Sequence, residues 1–249
     1  EPGLDGLLSD VVGRGGLHAT TQVEVAVAAT DVALVCVGTP GTGHGQPSFD
    51  AIRRVGHDIG AALTDRSSPY VVVLRSTALP GTTEEVLGRS IRERAPDSAT
   101  VLLAVNPEFM REGASLHDFD HPPFVVIGAD DERAADVVER LYQGVDGEVV
   151  RTTVRTAELV KYASNAYHAL KICFANEIAD LAATLGADGR DVMQVFARDR
   201  KLNVSPAYLR PGFAFGGSCL PKDVRALNWV GHVHEVQTPV LSAILPSNR

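Results

Sequence analysis

The stretch GFAFGGSCLPKD, residues 212–223, places Cys219 directly behind Gly216, Gly217 and Ser218 and just ahead of Lys222 and Asp223. Glycines there let a ligand approach the backbone closely and leave amide N–H groups near the sulfur. The thiolate is the reactive form of cysteine and nearby cations favour it, so Lys161, Lys222 or both would activate Cys219 as a nucleophile if the fold brings them near. Spacing alone leaves a structural glycine turn equally open. A second set lies on one helical run, where Lys161, Asn165 and His168 fall at i, i+4 and i+7 with Asn176 on about the same side. Asparagine and histidine are only moderate helix formers and an odd choice for a merely solvated face, so this stripe reads as functional. A third set, Thr39, Thr77, Glu108 and Glu112, sits in the turn-rich segments GTP, STALPGT and NPEFMREG.

Those segments follow apolar runs that would position them. VALVCV (32–37), YVVVL (70–74), TVLLAV (100–105) and FVVIGA (124–129) are continuous rather than alternating, as strands buried on both faces of a parallel sheet are. The stretches between them, FDAIRRVGHDIGAAL, TTEEVLGRSIRERA and DERAADVVERLYQGV, carry helical spacing with charged outer faces, which predicts βαβ crossovers in an open α/β sheet. In such sheets ligands bind beyond the carboxyl ends of the strands, so the three turn segments should line one crevice. No G-x-G-x-x-G turn opens the chain: GRGGLH (13–18) lacks the third glycine and follows no strand, and GTGHG (41–45) reads as a flexible loop.

Beyond about residue 153 no further strand is evident. A long helix is predicted from near Thr156, an N-cap with Glu158 in the first turn, to Gly186, roughly 45 Å, long enough to bridge two domains. GRDVMQVFA predicts a second helix, a loop-rich segment follows, and helical character resumes at Asp223.

The net charge of −8 gives no general attraction for nucleic acid or an anionic membrane, so an anionic ligand needs a local cationic site. The 3 cysteines include no C-x-x-C pair, which speaks against a disulfide framework or a zinc knuckle; no metal site is expected, and a reducing compartment fits. Cys36, in a strand run, and Cys173, in the apolar helix, are expected in the core. With no apolar run near the ~20 residues of a membrane span and no leader pattern, the chain reads as cytoplasmic.

Taken together, GFAFGGSCLPKD, NPEFMREG, RSTALPGTT, VCVGTP and ELVKYASNAYHALKICFANEIADLA resemble the nucleotide-sugar 6-dehydrogenases, the family of UDP-glucose and GDP-mannose dehydrogenases, over essentially the whole chain. RDRKLNVS, YLRPGFAFGGSCLPKDVRAL and the His168 and Asn176 positions are more similar to the GDP-mannose members, although Ala207 precedes Tyr208 where those members carry two adjacent tyrosines. The resemblance implies a partial Rossmann-like parallel sheet, residues 1–152, binding NAD but without its first βαβ unit. An all-helical central domain, residues 153–249, would follow for substrate and dimerisation, with a further nucleotide-binding domain beyond it. It implies oxidation of a sugar C6 alcohol to a carboxylate by two hydride transfers, through a thiohemiacetal and a thioester on Cys219. On that pattern Lys161 and Asn165 stabilise the oxyanion, while Asp223, Thr77 and Glu108 position water and relay protons, which of them is the base being left open. Thr39, Thr77, Glu112 and Lys222 match cofactor positions. Glu108, Lys161, Asn165, His168, Asn176, Tyr208, Arg210, Phe213 and Gly216 match the substrate pocket, in which Arg210 would hold a phosphate. A homodimer is expected. Two other classes stay in view, a two-electron hydroxyacid dehydrogenase, which needs no cysteine, and a non-catalytic dimerisation or binding core.

Overall fold

The computed structural model describes residues 1–40, 47–64, 66, 68–205, 207, 213–217 and 219–248, with residue 219 described in its backbone. The glycine loop 41–45 thus lies outside the described residues. The chain divides into two compact units, Glu1–Ala163 and Ser164–Arg249.

The first unit is built on strands β1 (Val32–Val35), β2 (Tyr70–Leu74), β3 (Val101–Val105), β4 (Val125–Ala129) and β5 (Val149–Thr152), in that spatial order. Helices α1 (Leu4–Gly13) and α2 (Val23–Ala28) precede β1, and α3 (Asp50–Ala62) crosses from β1 to β2. A π-helical stretch, Thr82–Gly88, runs into α4 (Arg89–Arg92) before β3. The short α5 (Ser115–Asp120) precedes β4, and α6 (Glu132–Arg140) joins β4 to β5.

All five residues of β2 are buried, because it has neighbours on both sides and helices on both faces. Its side chains alternate: Tyr70, Val72 and Leu74 pack with Ile52 and Ile59 of α3, Leu87 and Ile91. Val71 and Val73 pack with Leu102, Ile127 and, from α6, Ala134 and Val138. This doubly covered centre is the source of the continuous apolar runs.

Three expectations need correction. β3 and β4 are antiparallel, paired at Ala104–Ala129 and Val105–Gly128, whereas β1–β2, β2–β3 and β4–β5 are parallel. The connection holding the six-residue α5 is too short a helix to cross the sheet, so the chain turns back at the same edge. A fifth strand, β5, exists although its sequence VVRT is half polar; as an edge strand it needs only one covered side, and Arg151 lies outside, paired with Glu132, Asp136 and Glu139. Cys36 and Cys173 are both exposed rather than in the core. β1 is the other edge of the sheet, with Leu34 47% exposed beside Cys36, and Cys173 lies on a helix face that also exposes Ile172 and Leu170.

Helix α7 (Val154–Thr184) starts in the first unit and continues through the second. Its N-cap is Thr153, whose Oγ1 accepts from the Thr156 amide at 3.3 Å, so the helix begins a little before the predicted Thr156 and Glu158 belongs to its second turn. The chain turns after Thr184 at Gly186, the residue the sequence marks as the stop. In the second unit follow α8 (Gly189–Phe196), α9 (Cys219–Val233) and α10 (Pro239–Ser247). Glu177 of α7 accepts from the amides of Val240 and Leu241 at 2.6 and 3.0 Å, capping α10, and Asn228 of α9 accepts from Thr238 and Ser242 hydroxyls.

Candidate active site

Because β1, β2 and β3 are parallel, their carboxyl ends share one edge, and the turn segments that follow them are tied together there. Ser76 Oγ donates to Val37 O at 2.6 Å and Thr39 Oγ1 donates to Thr77 O at 2.9 Å, joining the turns after β1 and β2. Arg75 donates to Asn106 Oδ1 and to Tyr142 Oη, and Asn106, 1% exposed, donates onward to Val126 O at 2.9 Å, joining the turns after β2 and β3. The expected crevice-forming loops are therefore contiguous.

Lys161 enters this edge from α7. Its Nζ donates to the carbonyl oxygen of Glu108 and to Glu108 Oε1 at 3.0 Å, and lies 5.3 Å from the Phe109 ring centroid. The lysine side chain is 8% exposed and the glutamate 31%, so this pair operates at the protein's margin with water largely removed from the cation. Glu108 is fixed in turn, since its Oε2 accepts from the Met110 amide at 2.8 Å. The rest of that turn is clamped by Arg111, which grips Asp118 through two guanidinium nitrogens at 2.9 and 2.7 Å, and by Glu1, which accepts from the amides of Gly113 and Ser115. Hydrogen bonds from the Arg111 side chain and amide hold the Asp118 carboxyl well below the usual carboxylate range.

Two features of α7 place the lysine. Gly128 of β4 lies so close to the helix that a Cβ there would stand 2.5 Å from Ala157 Cβ and 3.0 Å from Thr153 O, an approach only glycine allows. One turn before Lys161, Glu158 is 2% exposed and accepts from the Gly81 amide at 2.6 Å, the Thr83 amide at 2.8 Å and Thr83 Oγ1 at 2.7 Å. Burial pushes its carboxyl up, against the pull of these three donors. Arg155 adds surface pairs to Glu84 and Glu85. The turn carrying Thr77 and the helix carrying Lys161 are thus one rigid piece. Sequence reading placed Glu158 only as a helix-start acid; the hint was a glutamate at i−3 from the lysine, and its partners are remote in sequence.

The remaining stripe residues behave differently. Asn165, His168 and Asn176 are exposed and their side chains have no hydrogen bond to another described residue, as is also true of the Glu112 side chain. In the second unit Phe213 is fully exposed, Gly216 is exposed, and among the described residues Lys222 pairs only with the adjacent Asp223 at 3.3 Å, both side chains being about two-thirds exposed (72% and 67%). Tyr208, Arg210, Ser218 and the side chain of Cys219 lie outside the described residues. In backbone, residue 219 is the first of α9, four positions earlier than the helix start predicted at Asp223, with Pro221 in the first turn where a missing N–H is tolerated.

The structure therefore brings Thr39, Thr77, Glu108 and Lys161 onto one strand edge and leaves the second unit's candidates open to solvent. Comparison with known proteins identifies the family. Residues 1–146 match the family model described as UDP-glucose/GDP-mannose dehydrogenase family, NAD binding domain, and residues 155–249 match that family's central domain. The chain is 44% identical to the GDP-mannose 6-dehydrogenase of Pseudomonas savastanoi pv. phaseolicola over 250 residues, covering 100% of this chain and 57% of that protein. It is 42% identical to the UDP-glucose 6-dehydrogenase of Rhizobium meliloti over 248 residues, covering 96% of this chain and 54% of that protein. A solved ternary complex of GDP-mannose dehydrogenase from Pseudomonas aeruginosa superposes with a TM-score of 0.97 at 43% identity, over 100% of this chain and 57% of that one. A UDP-glucose dehydrogenase from Pyrobaculum islandicum gives 0.79 at 39% identity with the same shares. The chain thus spans a little over half the length of the relatives it matches, 57% of the first of them. Its two matched segments and its identity along the whole of its own length place it plainly: this chain belongs to the UDP-glucose/GDP-mannose dehydrogenase family.

Proposed function

We propose that this chain is the core of an NAD-dependent nucleotide-sugar 6-dehydrogenase that oxidises the C6 alcohol of GDP-mannose to the carboxylate of GDP-mannuronate. The observation that carries the reading is the Lys161–Glu108 pair, a desolvated cation held by a carboxylate at the carboxyl edge of the sheet, in a chain of this family. Residues 1–152 are read as the partial NAD-binding domain and residues 153–249 as the central domain.

The strand-end turns suit a cofactor. Where a Cβ would stand at Gly38 nothing lies within 4 Å, so a ligand can meet the backbone there, and Thr39 and Thr77 flank it half-buried. Thr39, Thr77, Glu112 and Lys222 are assigned to NAD, which when bound would supply the hydride acceptor, one NAD+ being consumed for each of the two transfers.

The protein's own groups do the rest. Cys219 attacks the C6 aldehyde left by the first oxidation, the carbonyl electron pair moves to oxygen, and the thiohemiacetal that forms cannot leave. Residue 219 begins α9 in backbone, and the thiolate is the form of cysteine that attacks. Lys161, by charge, and Asn165, by its amide, stabilise the developing alkoxide, each donor contributing a few kcal/mol, about 2.7–4, in comparable sites. The second oxidation gives a thioester, which water cleaves to free the acid and the thiol. Glu108, Thr77 or Asp223 takes the proton from that water, and Glu108 has the geometry of a base already in contact with the lysine. His168, Asn176, Tyr208, Arg210, Phe213 and Gly216 are assigned to the nucleotide sugar, with Arg210 on its phosphate.

UDP-glucose is the second reading, because a UDP-glucose relative is nearly as similar in sequence, 42% against 44%; the nearer match of backbone to a GDP-mannose enzyme, 0.97 against 0.79, favours GDP-mannose. A homodimer fits the exposed apolar residues of α7, Leu159, Leu170 and Ile172, at 55%, 49% and 63%. A cytoplasmic, membrane-free setting fits the net charge and the absence, among the described residues, of a helix long and apolar enough to cross a membrane.

The test is the NADH formed per sugar consumed, on the protein extended to the length of its relatives, with GDP-mannose and UDP-glucose offered separately. Two NADH per GDP-mannose and none from UDP-glucose is the expected result. One NADH per sugar would replace the reading by a two-electron dehydrogenase, and none on either would leave a non-catalytic core.

A further inference from the structure

The segment leading into Cys219 has little to hold it. Phe213 is fully exposed, Ala214, Gly216 and Gly217 are exposed, and neither glycine meets any atom within 4 Å where a Cβ would stand. Among the described residues, the hydrogen bonds that hold 213–217 come from a single side chain far along the sequence. Asn248 accepts from the Phe215 amide through Oδ1 at 2.9 Å and donates through Nδ2 to the Phe215 carbonyl at 2.8 Å. A primary amide carries a donor and an acceptor side by side, so it can satisfy the N–H and the C=O of one residue together, as a neighbouring strand would.

Asn248 is itself well anchored. It is the residue at which α10 ends, and its own amide donates to Ile244 O at 3.0 Å, so its side chain is left free to reach Phe215. The other end of α10 is fixed by buried Glu177 on the Val240 and Leu241 amides and by Asn228, which donates to Leu241 O at 3.3 Å. Asn228 lies on α9, the helix that begins at Cys219. A closed circuit results: α9 is tied to the start of α10, and the end of α10 is tied back to the residue four positions before α9 begins.

We infer that Asn248 is a positioning residue for the nucleophile, acting through the Phe215 peptide to hold the glycine loop and thereby the start of α9. The inference rests on Cys219 being the nucleophile. The sequence offered no sign of it, because SNR at the end of the chain is an ordinary helix-terminating composition.

The test compares thiol alkylation by iodoacetamide near neutral pH, peptide by peptide, in the wild type, Asn248→Ala and Asn248→Asp. Cys36, exposed beside the strand β1, and Cys173, on the α7 face assigned to the dimer, serve as internal references whose own rates should not differ between the three proteins. In the wild type Cys219 should react faster than both references, and its failure to do so would overturn the nucleophile assignment and not the tether. Asn248→Ala should then slow Cys219 about tenfold relative to Cys36 and Cys173, because loss of a fixed helix start removes the setting that favours the thiolate. Asn248→Asp keeps the acceptor for the Phe215 amide and sets a carboxylate against its carbonyl, so about a threefold slowing is expected, near the value of one net hydrogen bond. An unchanged Cys219 ratio in both variants, or slowing shared equally by all three cysteines, would overturn the tether. Should Asn248→Ala fail to fold, the Asn248→Asp ratio alone decides.

Discussion

The first two turns of α7 and the turns that follow carry candidate residues in opposite conditions. Near its start Glu158 and Lys161 are buried and their side-chain polar atoms have partners: three donors for the glutamate, and for the lysine the carbonyl and one carboxylate oxygen of Glu108. Further along, Asn165, His168 and Asn176 are exposed and their side chains bond to no other described residue. The first group is preorganised, its desolvation opposed in part by fixed partners, and preorganised groups stabilise charge without reorganising. The second group presents unspent hydrogen-bonding capacity, which suits residues whose partners arrive with a ligand. On the proposed function, electrostatic chemistry would be built into the folded first unit, and recognition would fall to side chains that cost the fold almost nothing.

The largest expected effect separates the two conditions. Lys161→Met should lower kcat by 10²–10³, the usual range for losing one oxyanion donor. It should also lower the thermal midpoint, since Glu108 keeps its place beside Phe109 without its cation. Asn165→Ala, one turn away, should lower kcat while leaving the midpoint where it was. Steady-state kinetics beside thermal unfolding of the two variants reads this directly, and a stability loss in Asn165→Ala equal to that of Lys161→Met would erase the distinction.

The two conditions were unequally legible in the sequence. The central strands announced themselves because burial on both faces demands unbroken apolar runs, as in YVVVL and its partner VLLAV. Edge strands carry half that demand, so β5 was invisible, and Cys36 and Leu34 were assigned a cover that an edge does not provide. Strand direction is not written in apolar runs either, and the reversal at β3–β4 follows from the shortness of α5. Lys161 and Glu108 could be picked by residue type, but their pairing spans distant parts of the chain, and so do those of Glu158 and Asn248. What single-sequence reading misses here is the layer of side chains that hold other residues in place, since a holder is defined by where it reaches.

Glu158 offers the next effect in size. Glu158→Ala strands the Gly81 and Thr83 amides and the Thr83 hydroxyl in a buried site, and each such group costs about 1–3 kcal/mol, so a loss of roughly 3 kcal/mol in all is expected in urea unfolding. Glu177→Ala, which frees only the Val240 and Leu241 amides, should cost about 2 kcal/mol. Glu158 also has a pH signature. Its folded pKa is raised by burial above the ordinary glutamate value of about 4.3, so the folded state holds the proton more tightly than the unfolded chain. The stability this contributes is fully present below the ordinary value and is lost as pH rises through the raised one. Glu158→Gln should therefore flatten the fall in urea midpoint above that value, and a slope identical to the wild type would place the titration elsewhere.

The smallest effect on the fold tests the other half of the comparison. His168→Ala removes an exposed ring with no partner among the described residues, so unfolding free energy should move by no more than about 0.5 kcal/mol. If the ring's hydrogen-bonding capacity is kept for the nucleotide sugar, KM for the sugar should rise about fivefold, the value of one net hydrogen bond, with kcat nearly unchanged. The pairing of a silent fold with a shifted KM is what distinguishes a residue waiting for a ligand from a solvated one. A variant silent in both measurements would assign His168 to the solvated face and confine recognition to Asn176 and the loop around Phe213.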